Sequence, residues 1–428
     1  MSLYRYIYHT IAIPVMEGTL LFAGMFNRKI RTGIRGRRGI LKEMSEWRKE
    51  HPGTLAVVHS ASAGEYEAGI PLIRNLQKRG IKVVATLFSP SGYSPAKKSN
   101  IADFTMFLPF DSLLNTRRFL KILQPDLFVF CKHDIWPGYV WECNRRKIPV
   151  CLVNANMHRK SFRLHPLGIR FNRNLFRRFS GIWAVNPEHA RRIEKILGAG
   201  YKVESPGDTR FDRVVERAKS KDVDIPSGFR KAPVFIGGSV WQADEFILKA
   251  FIELQAKHPD WKLIWTPHEP TEANLSRAEA LLDKNFISHI RYSARKNCPD
   301  CNALLIDEMG ILAGLYRYTD IAYIGGGFGK GVHSVIEPAA FGIPVIFGPA
   351  HHVSAESFDL LDYGGGFMVE GADDALPLLD KLISDDRFRK EKGTASLKLV
   401  KAKAGVANYL ADELTKLIKS GGGTIAGN

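Results

Sequence analysis

Short, unbroken apolar runs recur along the chain. Residues 54–60 (TLAVVHS), 82–88 (KVVATLF), 126–132 (DLFVFCK), 149–154 (PVCLVN) and 181–186 (GIWAVN) carry no charge in their interiors. Continuous runs of this kind mark strands buried on both faces, whereas a strand with one wet face alternates. Between them the apolar positions fall three and four apart, as in residues 67–80 (EAGIPLIRNLQKRG), and predict helices. Strand and helix in alternation predict a parallel, doubly wound sheet.

At residues 219–231 (KSKDVDIPSGFRK) the pattern turns polar and carries Pro and Gly, which reads as a linker. The rhythm then restarts with residues 232–239 (APVFIGGS), 261–268 (WKLIWTPH), 303–307 (ALLID), 320–326 (DIAYIGG) and 343–349 (IPVIFGP). The expected organisation is an N-terminal segment at 1–50, a first α/β domain at 51–218, the linker, and a second α/β domain at 232–428. Two such domains would face each other across a cleft. Ligands of open parallel sheets bind beyond the carboxyl ends of the strands, so chemistry is expected in the loops that follow each run.

Composition fits a soluble, folded chain of 428 residues, with 45% hydrophobic and 25% charged residues, but the formal net charge is +17. That imbalance calls for an anionic partner. Basic residues crowd the N-terminus rather than a groove, and no RNA-type aromatic motif occurs, so nucleic acid is not the expected partner. Five cysteines are too few for a disulfide framework, which points to a reducing compartment. Cys298 and Cys301 form one isolated CxxC, read as a turn ahead of a metal or redox pair.

Residues 11–26 (IAIPVMEGTLLFAGMF) are apolar except for Glu17 and are followed by Arg28, Lys29, Arg31, Arg35, Arg37, Arg38 and Lys42. An apolar segment with a cationic flank matches an interfacial anchor on anionic lipid. The alternative is an amphipathic helix packed on the domain.

Several loops carry chemistry. His59, Ser60, Ser62, Gly64 and Glu65 follow the first strand, and a carboxylate in the first turn of the next helix can act as a general base. The Ser62-x-x-Glu65 spacing is equally that of a capping box. Lys132, His133 and Asp134 follow the strand at 126–132. In the second half, residues 325–349 (GGGFGKGVHSVIEPAAFGIPVIFGP) place glycines and then Glu337 after a strand. Amides and a helix start there suit a phosphate, and Glu337 suits two ribose hydroxyls. The stretch is neither the GxGxxG of nicotinamide enzymes nor a Walker loop.

Taken in order, these loops resemble the Kdo (3-deoxy-D-manno-octulosonic acid) transferases, a glycosyltransferase family of lipopolysaccharide assembly with the GT-B fold. The family's H-x-x-S-x-G-E stands as His59 to Glu65, its T-P-T-G loop as Ser89 to Gly92, and its E-T-E-L-W-P as Lys132 to Pro137. Its N-A-R appears as Asn154, Ala155 and Asn156 with Ser161, and its G-N-x-K-F-D as Gly207 to Asp212. Its G-S-T-x-x-x-E runs from Gly238 to Glu245, and its P-R-H is Pro267, His268 and Glu269. Its D-T-M-G-E-L is Asp307 to Leu312, and its G-G-H-N-x-x-E-P ends in His333, Ser334, Val335, Ile336, Glu337 and Pro338. Lys132, Asp134, His268 and Ile311 depart from the family's residues.

The resemblance implies an inverting, metal-independent transfer from CMP-Kdo to a lipid A precursor, with no separate cofactor. It assigns Glu65, Asp134 and Arg210 to catalysis, with Lys132 beside Arg210 as a cation for the substrate anions. The donor nucleotide falls to Pro267, His268, Met309, Gly310, Ile311, Ser334, Val335, Ile336 and Glu337. Because CMP-sugars are cytoplasmic, it also implies the cytoplasmic face of an inner membrane. Two other readings stand beside it: a GT-B enzyme using a UDP-sugar, such as a MurG-like transferase or an epimerase, and a basic membrane- or nucleic-acid-binding protein without activity.

Overall fold

The computed structural model describes residues 3–219, 222–297, 300–329, 331–352 and 354–421. Its contacts divide the chain into one unit of residues 1–213 with 404–428 and another of residues 214–403. This differs from the expected boundaries at both ends of the second domain. The C-terminal helix Val406–Lys419 sets Val406, Leu410, Ala411 and Leu414 into the core of the first unit, beside Ile70, Ile73 and Leu76. Its apolar positions, spaced by four, need a face to cover, and the helix Ala63–Lys78 supplies it. Arg79 adds an ion pair to Asp412 at 2.6 Å. The first segment, 1–50, likewise belongs to the first unit. Of the expected linker, residues 220 and 221 lie outside the described residues, and Ile225 and Phe229 are buried.

The first unit holds six parallel strands: β1 (Leu55–Ser60), β2 (Lys82–Leu87), β3 (Phe104–Phe107), β4 (Leu127–Cys131), β5 (Val150–Ala155) and β6 (Gly181–Ala184). Their order is β3-β2-β1-β4-β5-β6. β1, β4 and β5 are buried at every residue, as their unbroken apolar runs require. The second unit holds β7 (Val234–Val240), β8 (Lys262–Pro267), β9 (His289–Arg291), β10 (Ala303–Leu305), β11 (Ile321–Ile324), β12 (Val345–Phe347) and β13 (Gly366–Met368). Their order is β13-β12-β11-β7-β8-β10-β9, again with every pairing parallel.

The N-terminus forms one helical run, Tyr4–Phe26, whose 23 residues are long and apolar enough to cross a membrane by length and composition. The helix starts earlier than the apolar run at 11–26 implies. Its first half is tied to the domain: Tyr8 donates to Asp111 at 2.7 Å, and Tyr4 meets Phe171 edge-on. Val15, Leu21, Phe22, Met25 and Phe26 are exposed. Of the basic flank, Arg37 is turned inward. It donates to the carbonyls of Gly33, Phe88 and Leu108 and packs over three phenylalanine rings.

Cys131, Cys143, Cys151 and Cys301 are buried free thiols, and Cys298 of the CxxC lies outside the described residues.

Candidate active site

In the first sheet the strand order reverses between β1 and β4, and beyond the carboxyl ends of these strands lies the position where open parallel sheets bind ligands. The helix Ala63–Lys78 follows β1 after two residues. Ser62 caps it, its hydroxyl accepting from the Glu65 amide at 3.4 Å. The Glu65 carboxylate folds back, and its Oε2 accepts from the Ala61 amide at 2.7 Å. The cap read from the Ser62–Glu65 spacing is present, with the reciprocal bond moved one residue upstream. Glu65 is thereby fixed as a buried acid at the end of β1, 6% exposed.

Beside it, His59 is fully buried and bonded at both nitrogens, Nδ1 to Thr86 Oγ1 at 3.0 Å and Nε2 to Asp134 Oδ2 at 3.1 Å. The second bond joins the end of β1 to the loop after β4 across the switch point. Trp136 Nε1 donates to the same Asp134 oxygen at 3.1 Å. Burial pushes the Asp134 carboxyl up, but the bond and charge of His59, with Trp136, outweigh it and hold the group below its ordinary value. Asp134 is thus committed to orienting His59.

Lys132, expected as a substrate cation, has left-handed backbone at φ 64° directly after β4. An L-residue pays roughly 1–2 kcal/mol for that conformation. Arg163 donates to the His133 carbonyl at 2.8 Å and is depressed below its ordinary value by burial, against the opposing charge of Asp134. In β5, Asn154 is left-handed at φ 51° where the pairing to β6 shifts register. Its side chain exchanges two bonds with Thr209, at 2.7 and 3.2 Å. This anchors the loop carrying Asp208 and Arg210, whose Nε meets Asp208 at 2.9 Å.

The second sheet switches between β7 and β11. The next-to-last residue of β7, Ser239, has φ 54°, again at a register shift. Trp241, just beyond, donates its Nε1–H to His333 Nε2 at 3.1 Å, so one bond again spans the switch point. His268, after β8, stacks on both rings at 4.4 Å from each. Burial depresses His333, and His268 adds to the effect. Below them the buried Asp244 accepts from the Trp241 amide at 2.8 Å, the Gly326 amide at 3.1 Å and the Tyr323 hydroxyl at 2.6 Å. The glycines are required by contact: a Cβ on Gly325 would stand 2.3 Å from the Ser239 carbonyl oxygen, and one on Gly327 2.4 Å from the Gly348 nitrogen.

The expected donor residues all lie at the carboxyl edge of this sheet, but they differ in what they offer. Pro267 ends β8. Met309 is exposed, Gly310 has φ 90°, and Ile311 precedes a short helix after β10. Ser334 is exposed, whereas the Val335 and Ile336 side chains are buried, so only their backbone can face a ligand. Glu337 pairs with Arg217 at 2.9 Å. The helix expected to open there is a single turn, Ile336–Ala339, too short for much of a dipole. Lys330 of this loop lies outside the described residues. Two buried acceptors at strand ends have no partner among the described residues: Asn156 Oδ1 after β5 and Thr266 Oγ1 in β8. Such orphaned atoms in a strand-end loop fit a ligand contact.

His59 was expected in the loop after β1 but given no role there, and Arg163, Trp241 and Asp244 were not among the residues assigned to the site. Each lies at a strand end or in a loop after one, and the signal for His59 and Trp241 was a bulky polar ring one residue before the strand's last position or just past it. Among the described residues no group of three or more His, Cys, Asp or Glu is arranged to hold a metal.

Residues 32–213 match the family model described as "3-Deoxy-D-manno-octulosonic-acid transferase (kdotransferase)". The 3-deoxy-D-manno-octulosonic acid transferase of Haemophilus influenzae is 29% identical over 372 residues, covering 83% of this chain and 86% of that protein. Its counterpart in Aquifex aeolicus is 29% identical over 347 residues, covering 78% and 90%. Among solved structures, UDP-GlcNAc 2-epimerase from Neisseria meningitidis superposes with a TM-score of 0.61 at 16% identity, over 85% of this chain and 100% of that one. A glycosyltransferase from Rickettsia africae gives a TM-score of 0.55 at 12% identity, over 87% and 99%. These likenesses carry the fold, GT-B with two Rossmann-like units. The family model over the first unit, and the relatives whose likeness extends over most of the chain, point the same way: this chain is similar to the Kdo transferases, a glycosyltransferase family.

Proposed function

We propose that the chain transfers Kdo from CMP-Kdo to a sugar hydroxyl of a lipid A precursor, with inversion and without a metal. Glu65 takes the hydroxyl proton as the acceptor oxygen bonds the anomeric carbon and the bond to CMP breaks. Asp134 acts through His59, holding the β1 end that presents Glu65. Arg210 and Lys132 meet substrate anions. His268 and Pro267, with Met309, Gly310 and Ile311, surround the base. The backbone of Ser334, Val335 and Ile336 serves the phosphate, and Glu337 the ribose.

The observation that carries this reading is the Glu65 carboxylate, buried yet fixed by the Ala61 amide at the switch-point end of β1. A base held in one orientation needs no reorganisation as it takes a proton. The exposed apolar half of Tyr4–Phe26 and the basic residues after it, Arg37 excepted, support attachment to an anionic membrane surface; the cytoplasmic face follows from the proposed donor alone.

The test is incubation with a CMP-Kdo generating system and a tetra-acylated lipid A precursor, read by mass spectrometry. The expected product carries added Kdo. Thermal shift with CMP but not UDP is expected alongside, and a shift with UDP alone would favour a UDP-sugar enzyme.

A further inference from the structure

The strand-end loops leave one large cavity unused. It lies in the first unit, measures about 450 Å³, and is walled by Arg170, Arg173, Arg177 and Arg178 with Tyr4 and Asn144. It belongs to the opposite edge of the sheet from Glu65. Asn144 sits in the last turn of the helix Pro137–Arg145, which leaves the carboxyl end of β4, and Arg178 stands just before β6 begins at Gly181.

None of the four arginines forms an ion pair with a carboxylate among the described residues. The buried acid nearby, Glu142, is already taken by Arg5, Arg117, Arg145 and Arg146. Two of the four brace the backbone. Arg173 donates Nε–H to the Ile196 carbonyl at 2.8 Å, and Arg177 donates to Leu197 at 2.9 and 2.7 Å. These bonds finish the helix Pro187–Leu197 and hold the guanidiniums still. They do not account for Arg170, nor for Arg178, whose Nε–H reaches only the neutral Asn174 Oδ1 at 3.5 Å, nor for four cations gathered without a counter-charge. Asn144 fixes the backbone here, donating to the Arg178 carbonyl at 2.9 Å.

We propose that this cavity binds a phosphate group, carried by a small phosphorylated molecule or by a lipid headgroup. A tetrahedral dianion accepts from several guanidinium forks at once, which a single carboxylate cannot do. The volume exceeds one phosphate and falls within the range of small-molecule sites, roughly 300–1,000 Å³. Tyr4, at the start of the N-terminal helix, forms part of the wall, so an occupant would also hold the first turn of that helix to the domain.

The test is calorimetric titration of the full-length protein in detergent, in phosphate-free buffer, with inorganic phosphate and with pyrophosphate. Its second arm is flotation with phosphatidylglycerol against phosphatidylcholine vesicles. The variants are R170A/R178A, which spares the two helix-capping arginines, and R170K/R178K, which keeps the charge and loses the forks. Saturable pyrophosphate binding that weakens by roughly tenfold or more in the alanine pair and partly recovers in the lysine pair supports a free phosphate ligand. Vesicle binding that falls in the alanine pair while neither anion binds assigns the phosphate to a lipid headgroup. Identical titrations and identical flotation for all three proteins, each folded by circular dichroism, would overturn the proposal. Transfer at Glu65 is measured separately on the same proteins, so failure of this site does not bear on the transferase reading.

Discussion

Glu65→Gln separates the cap that Glu65 forms from the base it is proposed to be. Glutamine has the same shape, and its carbonyl oxygen can accept the Ala61 amide now bonded at 2.7 Å, so the cap survives. What the fold loses is the charge near a helix N-terminus, about 0.3–1 kcal/mol. What the proposed transfer loses is its base. General-base contributions of 10²–10⁴-fold correspond to roughly 3–5 kcal/mol on the barrier. The chemical penalty therefore exceeds the folding penalty several-fold. Release of CMP at saturating donor and lipid A precursor should drop by at least about two orders of magnitude. CMP affinity should hold, and the melting temperature should move by only a few degrees. Turnover within a few-fold of the parent would refute the reasoning and leave Glu65 as a helix cap alone.

Asp134→Ala removes the partner of a fully buried imidazole nitrogen, so stability should fall by about 1–3 kcal/mol in denaturant titration; no change would mean that water replaces the carboxylate. Glu337→Ala should weaken CMP binding by roughly 1.5–3 kcal/mol in calorimetry. Arg217→Ala, which removes its pair, serves as the structural control, and unaltered CMP affinity in Glu337→Ala would move the nucleotide elsewhere. His333 titrates below its ordinary value in the folded chain, so below the unfolded pKa of about 6.5 only the unfolded state takes the proton. Stability from this site is present above that pH and lost as pH falls; thermal unfolding from neutral to acid should show a shallower loss in His333→Gln than in the parent. Deleting residues 1–26 should free the protein from anionic vesicles in flotation. It should also destabilise the first unit, because the Tyr8–Asp111 bond and the Arg5–Glu142 pair go with the segment. Retention on vesicles in high salt would show that the apolar helix is not the anchor.

The ten strands read from apolar runs are all present, and the three that went unread share one property. β3, β9 and β13 are edge strands. Their burial is partial, none of the three residues of β9 being fully buried, so no continuous apolar run was required of them. The return of Val406–Lys419 to the first unit was illegible for a different reason. An amphipathic helix announces that it has a face to bury, not which core will take it. At the site, glycine and carboxylate positions were readable because few residue types tolerate those backbones or supply that chemistry. Partnerships were not. Nothing local in the sequence joins His59 to Asp134, 75 positions on, or Trp241 to His333, 92 positions on. Only the strand order makes them neighbours.

Those two bonds do the same work with opposite chemistry. At a switch point adjacent strands send their chains to opposite faces of the sheet, and the loops part. A side-chain bond across the gap fixes their separation. In the first sheet His59 must donate from Nε2, since a carboxylate only accepts; its Nδ1 can then accept from Thr86 or, protonated, donate to it. That tie holds in either charge state. In the second sheet Trp241 is the donor, so His333 Nε2 must be bare, and a proton there removes the acceptor. The stacked His268 opposes the same proton, since two cationic rings 4.4 Å apart repel. The loops of the second unit therefore depend on a neutral His333, which burial already favours, and acid should loosen the β7–β11 crevice by taking that acceptor away.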